Sequence, residues 1–129
     1  MFIEVAIINL LKSNSRLTTL IQKIYPNQTT KDAKYPLIVY SYDETDLLIG
    51  NAKSEFKTGE FLFLSFAENK TIARQIEKEI NISINGLTDV INGIHVKYIK
   101  YNGFEDDFDK DVQKYFYQST YRIIYKEDI

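Results

Sequence analysis

The chain has 129 residues, 44% hydrophobic and 26% charged, with a formal charge of -2 and no cysteine. That length and composition fit one domain, residues 1–129, with a single core, and they exclude disulfides, thiol catalysis and cysteine-based zinc sites. The 16 basic residues form no block of the kind that phosphate binding needs, and no apolar stretch is long enough to cross a bilayer.

In chain order, Phe2, Val5, Ala6, Asn9 and Leu10 recur at helical spacing, widened by Ile3, Ile7, Ile8 and Leu11. They predict a largely buried helix over residues 2–12. Ser15 is placed to cap a second helix from Arg16 to Lys23, which Tyr25-Pro26-Asn27 ends. Proline disfavours helix in the residue before it and lacks an N–H, so Tyr35-Pro36 launches a strand, Tyr35–Tyr42. Residues 43–53 read as too polar to continue it. A second strand lies within Ser54–Ala67, with Phe61 and Phe63 on one face and Leu62, Leu64 and Phe66 on the other, so its second half reads as buried on both faces.

A helix follows from Thr71 to Ile84, with Ile72, Ala73, Ile76, Ile80 and Ile84 inward and Arg74, Glu77, Lys78 and Glu79 outward. Asn85-Gly86 and Asn92-Gly93 are turn dipeptides. Ile94, Val96 and Tyr98 alternate in a third strand, residues 105–111 form an acidic loop, and Tyr117 to Tyr125 mark the last strand. The expected fold is α+β: a mainly antiparallel four-stranded sheet packed by helices, in the order ααββαββ.

Few residues here suggest catalysis. Glu105, Asp106, Asp107, Asp109 and Asp111 imitate the start of a calcium-binding loop, but Val112 stands where that loop needs glycine and Gln118 where it needs glutamate. A solvated loop is the simpler reading. His95 is the single histidine, on an outward strand position opposite in parity to Val96, and it lacks a second imidazole or a nucleophile motif. Tyrosines 98, 101, 115, 117, 121 and 125 match a base-stacking platform in number but have no basic groove beside them, so packing explains them better. Leu47-Leu48-Ile49 is an apolar run inside a polar connection: either a loop folded onto its own core or a contact for a protein partner.

The whole succession resembles the tail-terminator, or tail-completion, proteins of long-tailed bacteriophages. The words that carry the resemblance are Leu10-Leu11-Lys12, Ile24-Tyr25-Pro26, Tyr35-Pro36-Leu37-Ile38-Val39-Tyr40 and Leu62-Phe63-Leu64-Ser65-Phe66-Ala67. They continue with the Thr71–Ile84 helix, Asn85-Gly86-Leu87, Gly93-Ile94-His95-Val96 and Tyr121-Arg122-Ile123-Ile124-Tyr125. The acidic residues 105–111 and the apolar Leu47–Ile49 depart from the pattern.

The resemblance implies a non-catalytic virion protein without a cofactor, assembled in the host cytoplasm as a ring, usually of six copies, on the head-proximal end of the tail tube. There it ends tube growth and offers a surface to the neck or head-completion protein, while DNA passes through the lumen unread. In such a ring the long loops meet tube, neighbour and neck, and the expected assembly interface in this chain is Leu47, Leu48, Ile49, Asp107 and Asp109. A neck or head-tail joining component is the nearest alternative, and a small α+β ligand-binding module is a third.

Overall fold

The computed structural model describes residues 2–49 and 52–127, with the side chains of residues 45–54 outside that description. Its elements are α1 (Ile3–Lys12), α2 (Ser15–Leu20), β1 (Lys23–Pro26), β2 (Leu37–Ile49), β3 (Ala52–Ala67), α3 (Lys70–Ile84), β4 (Asp89–Ile91), β5 (Ile94–Asp109) and β6 (Lys114–Glu127). The strands form one sheet in the order β1-β2-β3-β6-β5-β4, curled into a half-barrel. β1 runs parallel to β2, and the other neighbours are antiparallel.

The expected four-stranded, mainly antiparallel sheet in the order ααββαββ is therefore corrected to a six-stranded mixed sheet in the order ααβββαβββ. Two short strands account for the difference. α2 stops at Leu20, and Ile21 is already extended at φ -122° and ψ 157°. A helix this short gains little from propagation, whereas the extended chain gains a ladder along β2, beginning with the Gln22 N–H donating to the Pro36 carbonyl at 2.7 Å. Tyr25-Pro26 thus lies in a strand rather than at a helix end. β4 pairs with the start of β5 around Asn92-Gly93, whose φ values of 50° and 83° are the double positive that a two-residue type I′ hairpin requires.

Two segments read as loops are also strand. Residues 43–49, polar as far as Asp46, continue β2, with Asp43 opposite Glu60 and Asp46 opposite Lys57. The acidic residues 105–109 continue β5 opposite Gln118 to Lys114, and the turn is confined to residues 110–113. A backbone ladder does not depend on side-chain polarity, so along residues 105–108, exposed on both faces, the inward-outward alternation disappears while the strand persists.

All three helices cover one face of the sheet. Ile3, Ala6, Ile7 and Leu11 of α1, Leu17 of α2, and Ala73, Ile76, Ile80 and Ile84 of α3 pack on Phe61, Phe63, Tyr121, Ile123 and Tyr125. The buried stripe of α1 is rotated from the expected one, since Phe2 and Val5 are exposed. On β3, Phe61, Phe63, Ser65 and Ala67 are buried against the helices, whereas Leu62, Leu64 and Phe66 on the other face are only half-buried. The expected burial on both faces fails because no helix lies on that second face.

Asn14, rather than Ser15, caps α2: its Oδ1 accepts from the N–H groups of Arg16 and Leu17 at 3.0 and 3.2 Å. Its Nδ2 donates to Ser83 Oγ at 2.8 Å, tying α2 to α3. Asn69 caps α3 by accepting from the Ile72 N–H at 2.9 Å.

Candidate assembly surface

The expected contact residues fall in two places. Asp107 and Asp109 belong to an arm, the distal β5–β6 hairpin from Asn102 to Gln113, exposed along nearly its whole length. Leu47, Leu48 and Ile49 lie at the far end of β2, and their side chains are outside the described residues. The two hairpins point to opposite ends of the sheet: β3 begins beyond the end of β6, and β6 begins at the level where β3 ends.

The arm is built by register slips. The β5–β6 register shifts between Val96 and Tyr98 and again between Tyr101 and Phe104, with Gly103 at φ 111° inside the second slip. Such bulges bend a strand and sharpen its twist. β4 flanks β5 only at Ile94–Val96. The C-terminal end of α3 then covers Ile99 and Tyr101, with Gly86 N–H donating to the Ile99 carbonyl at 2.8 Å and the Tyr101 N–H to Asn85 Oδ1 at 2.9 Å. Beyond Asn102, no described strand lies on the outer edge of β5.

Aromatic rings stiffen the arm without burying it. Phe104, 60% exposed, stacks on Tyr117 at 4.9 Å, and Phe108, 40% exposed, meets Tyr115 edge-on at 4.9 Å. At its turn end, Lys114 Nζ lies 5.0 Å above the Tyr35 ring and 3.6 Å from Glu68 Oε1. Asp109 Oδ1 accepts from the Asp111 N–H at 2.9 Å, which shapes the turn. Asp107 Oδ1 accepts from the Phe108 N–H at 2.7 Å. Among the described residues, no three acidic or histidine side chains converge as a metal site.

Beside the arm, an open groove of about 620 Å³ runs along α3, with Arg74, Lys78 and Ile82 on one side and Tyr101 and Tyr117 on the other. Its floor holds a residue expected on the surface. Glu77 is 5% exposed; its Oε1 accepts from the Tyr121 hydroxyl at 2.6 Å and its Oε2 from Ser119 Oγ. Burial pushes its carboxyl above the usual range, partly offset by these two hydrogen bonds. Burial and the facing carboxylate push the Tyr121 hydroxyl well above its ordinary value.

A signal for Glu77 was present: it stands four residues after Ala73 and three before Ile80, inside the apolar stripe. Tyr125, which donates to Glu44, and Tyr121 belong to the covered face, in keeping with a packing role for the tyrosine series. His95 lies half-buried on β5 between Val90 and Lys126. With both Glu77 oxygens already accepting hydroxyls, the groove presents surface and shape more readily than a base.

No protein-family model matches the chain, and no curated protein matches it by sequence. Among solved structures, it matches a chain of a structure described as "Virion of native gene transfer agent (GTA) particle". The TM-score is 0.79 at 9% identity, covering 95% of this chain and 93% of that one. The likeness is one of fold over essentially the full length of both chains.

Proposed function

We propose that this chain is a structural protein of a phage-like virion, acting as a ring on the head-proximal end of the tail tube, where it stops tube growth and receives the neck. The observation that carries the reading is the end-to-end fold likeness to a chain of a gene transfer agent virion. A fragmentary match would carry far less, since folds of this class host many roles. The bare β5–β6 arm and the opposite β2–β3 hairpin suit the reading: a ring component needs contacts sideways to its copies and axially to tube and neck, and loops and projections on a rigid scaffold supply them.

The test is deletion of the gene from the particle that encodes it, followed by electron microscopy of tails. Overlong tails of irregular length, restored to a fixed length by the gene in trans, are the expected result. Free tails of normal length that fail to join heads would overturn termination in favour of a neck role.

A further inference from the structure

The sheet's two free edges are unlike and complementary. At one edge stands β5 beyond Asn102, where residues 102–112 hold Glu105, Asp106, Asp107, Asp109 and Asp111 against Lys110. At the other stands β1, with Lys23 in the strand, Lys12 across a cavity beside it, and Lys31 and Lys34 with Asp32 in the connection to β2; all four lysines are exposed. None of these four lysines is ion-paired among the described residues. Both edges occupy the same rungs of the sheet. Lys23 to Pro26 pair with Leu37 to Tyr40, these with Phe66 to Phe63, these with Phe116 to Ser119, and these with Asp107 to Phe104. Lys23 is therefore level with Asp107, and Pro26 with Phe104.

We infer that the outer edge of β5 docks on the β1 edge of a second copy of this chain, with Lys23 facing Asp107 of the neighbour. The strand directions agree with this. β1 runs with β2 and against β3, and β5 runs with β3, so two copies side by side bring β5 antiparallel to β1 with their helices on the same side. Apolar surface agrees as well. Phe104 and Phe108 share the helix-side face of the arm with their partners Ser119 and Tyr115. Phe108 lies one rung beyond Asp107, level with Gln22. There a cavity of about 210 Å³ beside β1 is lined by Ile21 and Ile24 together with Lys12, Thr18, Gln22 and Lys23.

An aromatic laid on the two isoleucines of this mixed pocket, with opposite charges paired beside it, gives area and register together. Two copies of the β5 edge would instead oppose carboxylate to carboxylate, which disfavours a symmetric dimer. A head-to-tail contact of this kind repeats from copy to copy and closes a ring when its rotation allows. The inference rests on the reading of the chain as a ring component.

The chain has no cysteine, so Lys23→Cys and Asp107→Cys chains each carry one thiol. Mixed under oxidising conditions, they are expected to form a disulfide-linked pair severalfold faster than a Lys97→Cys and Asp107→Cys mixture, because Lys97 lies at the far end of β5. High salt should slow the reaction, since exposed charges are screened.

As a second measurement, Asp106→Lys/Asp107→Lys chains should lose association with the parent chain in sedimentation. They should regain it with Lys23→Glu/Lys34→Glu chains. Equal cross-linking of the two mixtures, or no recovery on double reversal, overturns the interface. A ring on tail ends whose two substituted positions stay uncross-linked would refute this interface and leave the tail reading intact. Rapid cross-linking together with normal tails in the deletion strain would do the reverse.

Discussion

The helix-covered body and the β5–β6 arm are made of the same kinds of residue put to different uses. In the body, Phe63 is fully buried, 5.7 Å from Phe61 and 5.8 Å edge-on from Tyr121, under α1 and α3. In the arm, Phe104 stacks on a tyrosine at 4.9 Å with most of its surface in water. The body therefore accounts for the fold's stability, since apolar burial dominates it. The arm orders an exposed edge strand and turn for little burial, and ordering backbone costs free energy. A segment so placed suits the proposed role in assembly, where a partner would supply the burial that the monomer does not.

The largest expected effect separates the two regions directly. Phe63→Ala should destabilise the protein by about 3–5 kcal/mol, as buried aromatic deletions do, while Phe104→Ala should cost about 0.5–1.5 kcal/mol, the worth of one exposed aromatic pair. Urea unfolding of the two variants measures this. A loss at Phe104 equal to that at Phe63 would make the arm part of the core and break the distinction.

Glu77 gives the next effect, because it sits where body and arm meet. Glu77→Ala leaves the buried Ser119 and Tyr121 hydroxyls without their acceptor, at about 1–3 kcal/mol for each unsatisfied group. The same carboxyl makes stability depend on pH. Its folded pKa is raised above the ordinary 4.5 by burial, so the folded state holds the proton more tightly than the unfolded one. That contribution is fully present below pH 4.5 and is lost as pH rises through the folded value. Against a Glu77→Gln reference, the parent chain should therefore lose stability between mildly acid and neutral pH in urea midpoints. A difference that grows on acidification would reverse the sign and show that the carboxylate is better solvated than its burial indicates.

What was legible in the sequence follows the same division. The body was readable because one-sided burial writes a period into the chain: the α3 stripe at Ala73, Ile76, Ile80 and Ile84 and the alternation in β6 both place the core correctly. The arm was not, because residues 105–109 are solvated on both faces and carry no alternation, so a strand looked like a loop. β1 was missed for a different reason. Leu17, Leu20, Ile21 and Ile24 keep helical spacing, and only pairing with β2, seventeen residues away from helix α2's end, turns the last two into extended chain. Asp107 and Asp109 stand out in the sequence by their charge, whereas Lys23 comes into line with them only through the register, which puts both edges on common rungs.

The smallest effect is expected at Ser65, which is read against Ser119 on the helix-side face of the adjacent strand. Ser119 lies opposite Phe63 and Ser65 opposite Tyr117, and both are fully buried. Ser119 donates to Glu77, whereas Ser65 Oγ has no hydrogen-bond partner among the described residues. Ser119→Ala should cost about 1–3 kcal/mol, because it strands one carboxylate oxygen, and it should raise the Glu77 pKa further by removing a hydrogen bond that holds it down. Ser65→Ala deletes a hydroxyl that makes no bond, so its cost should lie within about 0.5 kcal/mol of zero or be a small gain. Equal losses at the two positions, measured by urea unfolding at neutral pH, would mean that the Glu77 cluster carries no special weight at the junction. A loss at Ser119 alone would locate the coupling between α3 and β6 in that carboxylate, on the body's side of the arm.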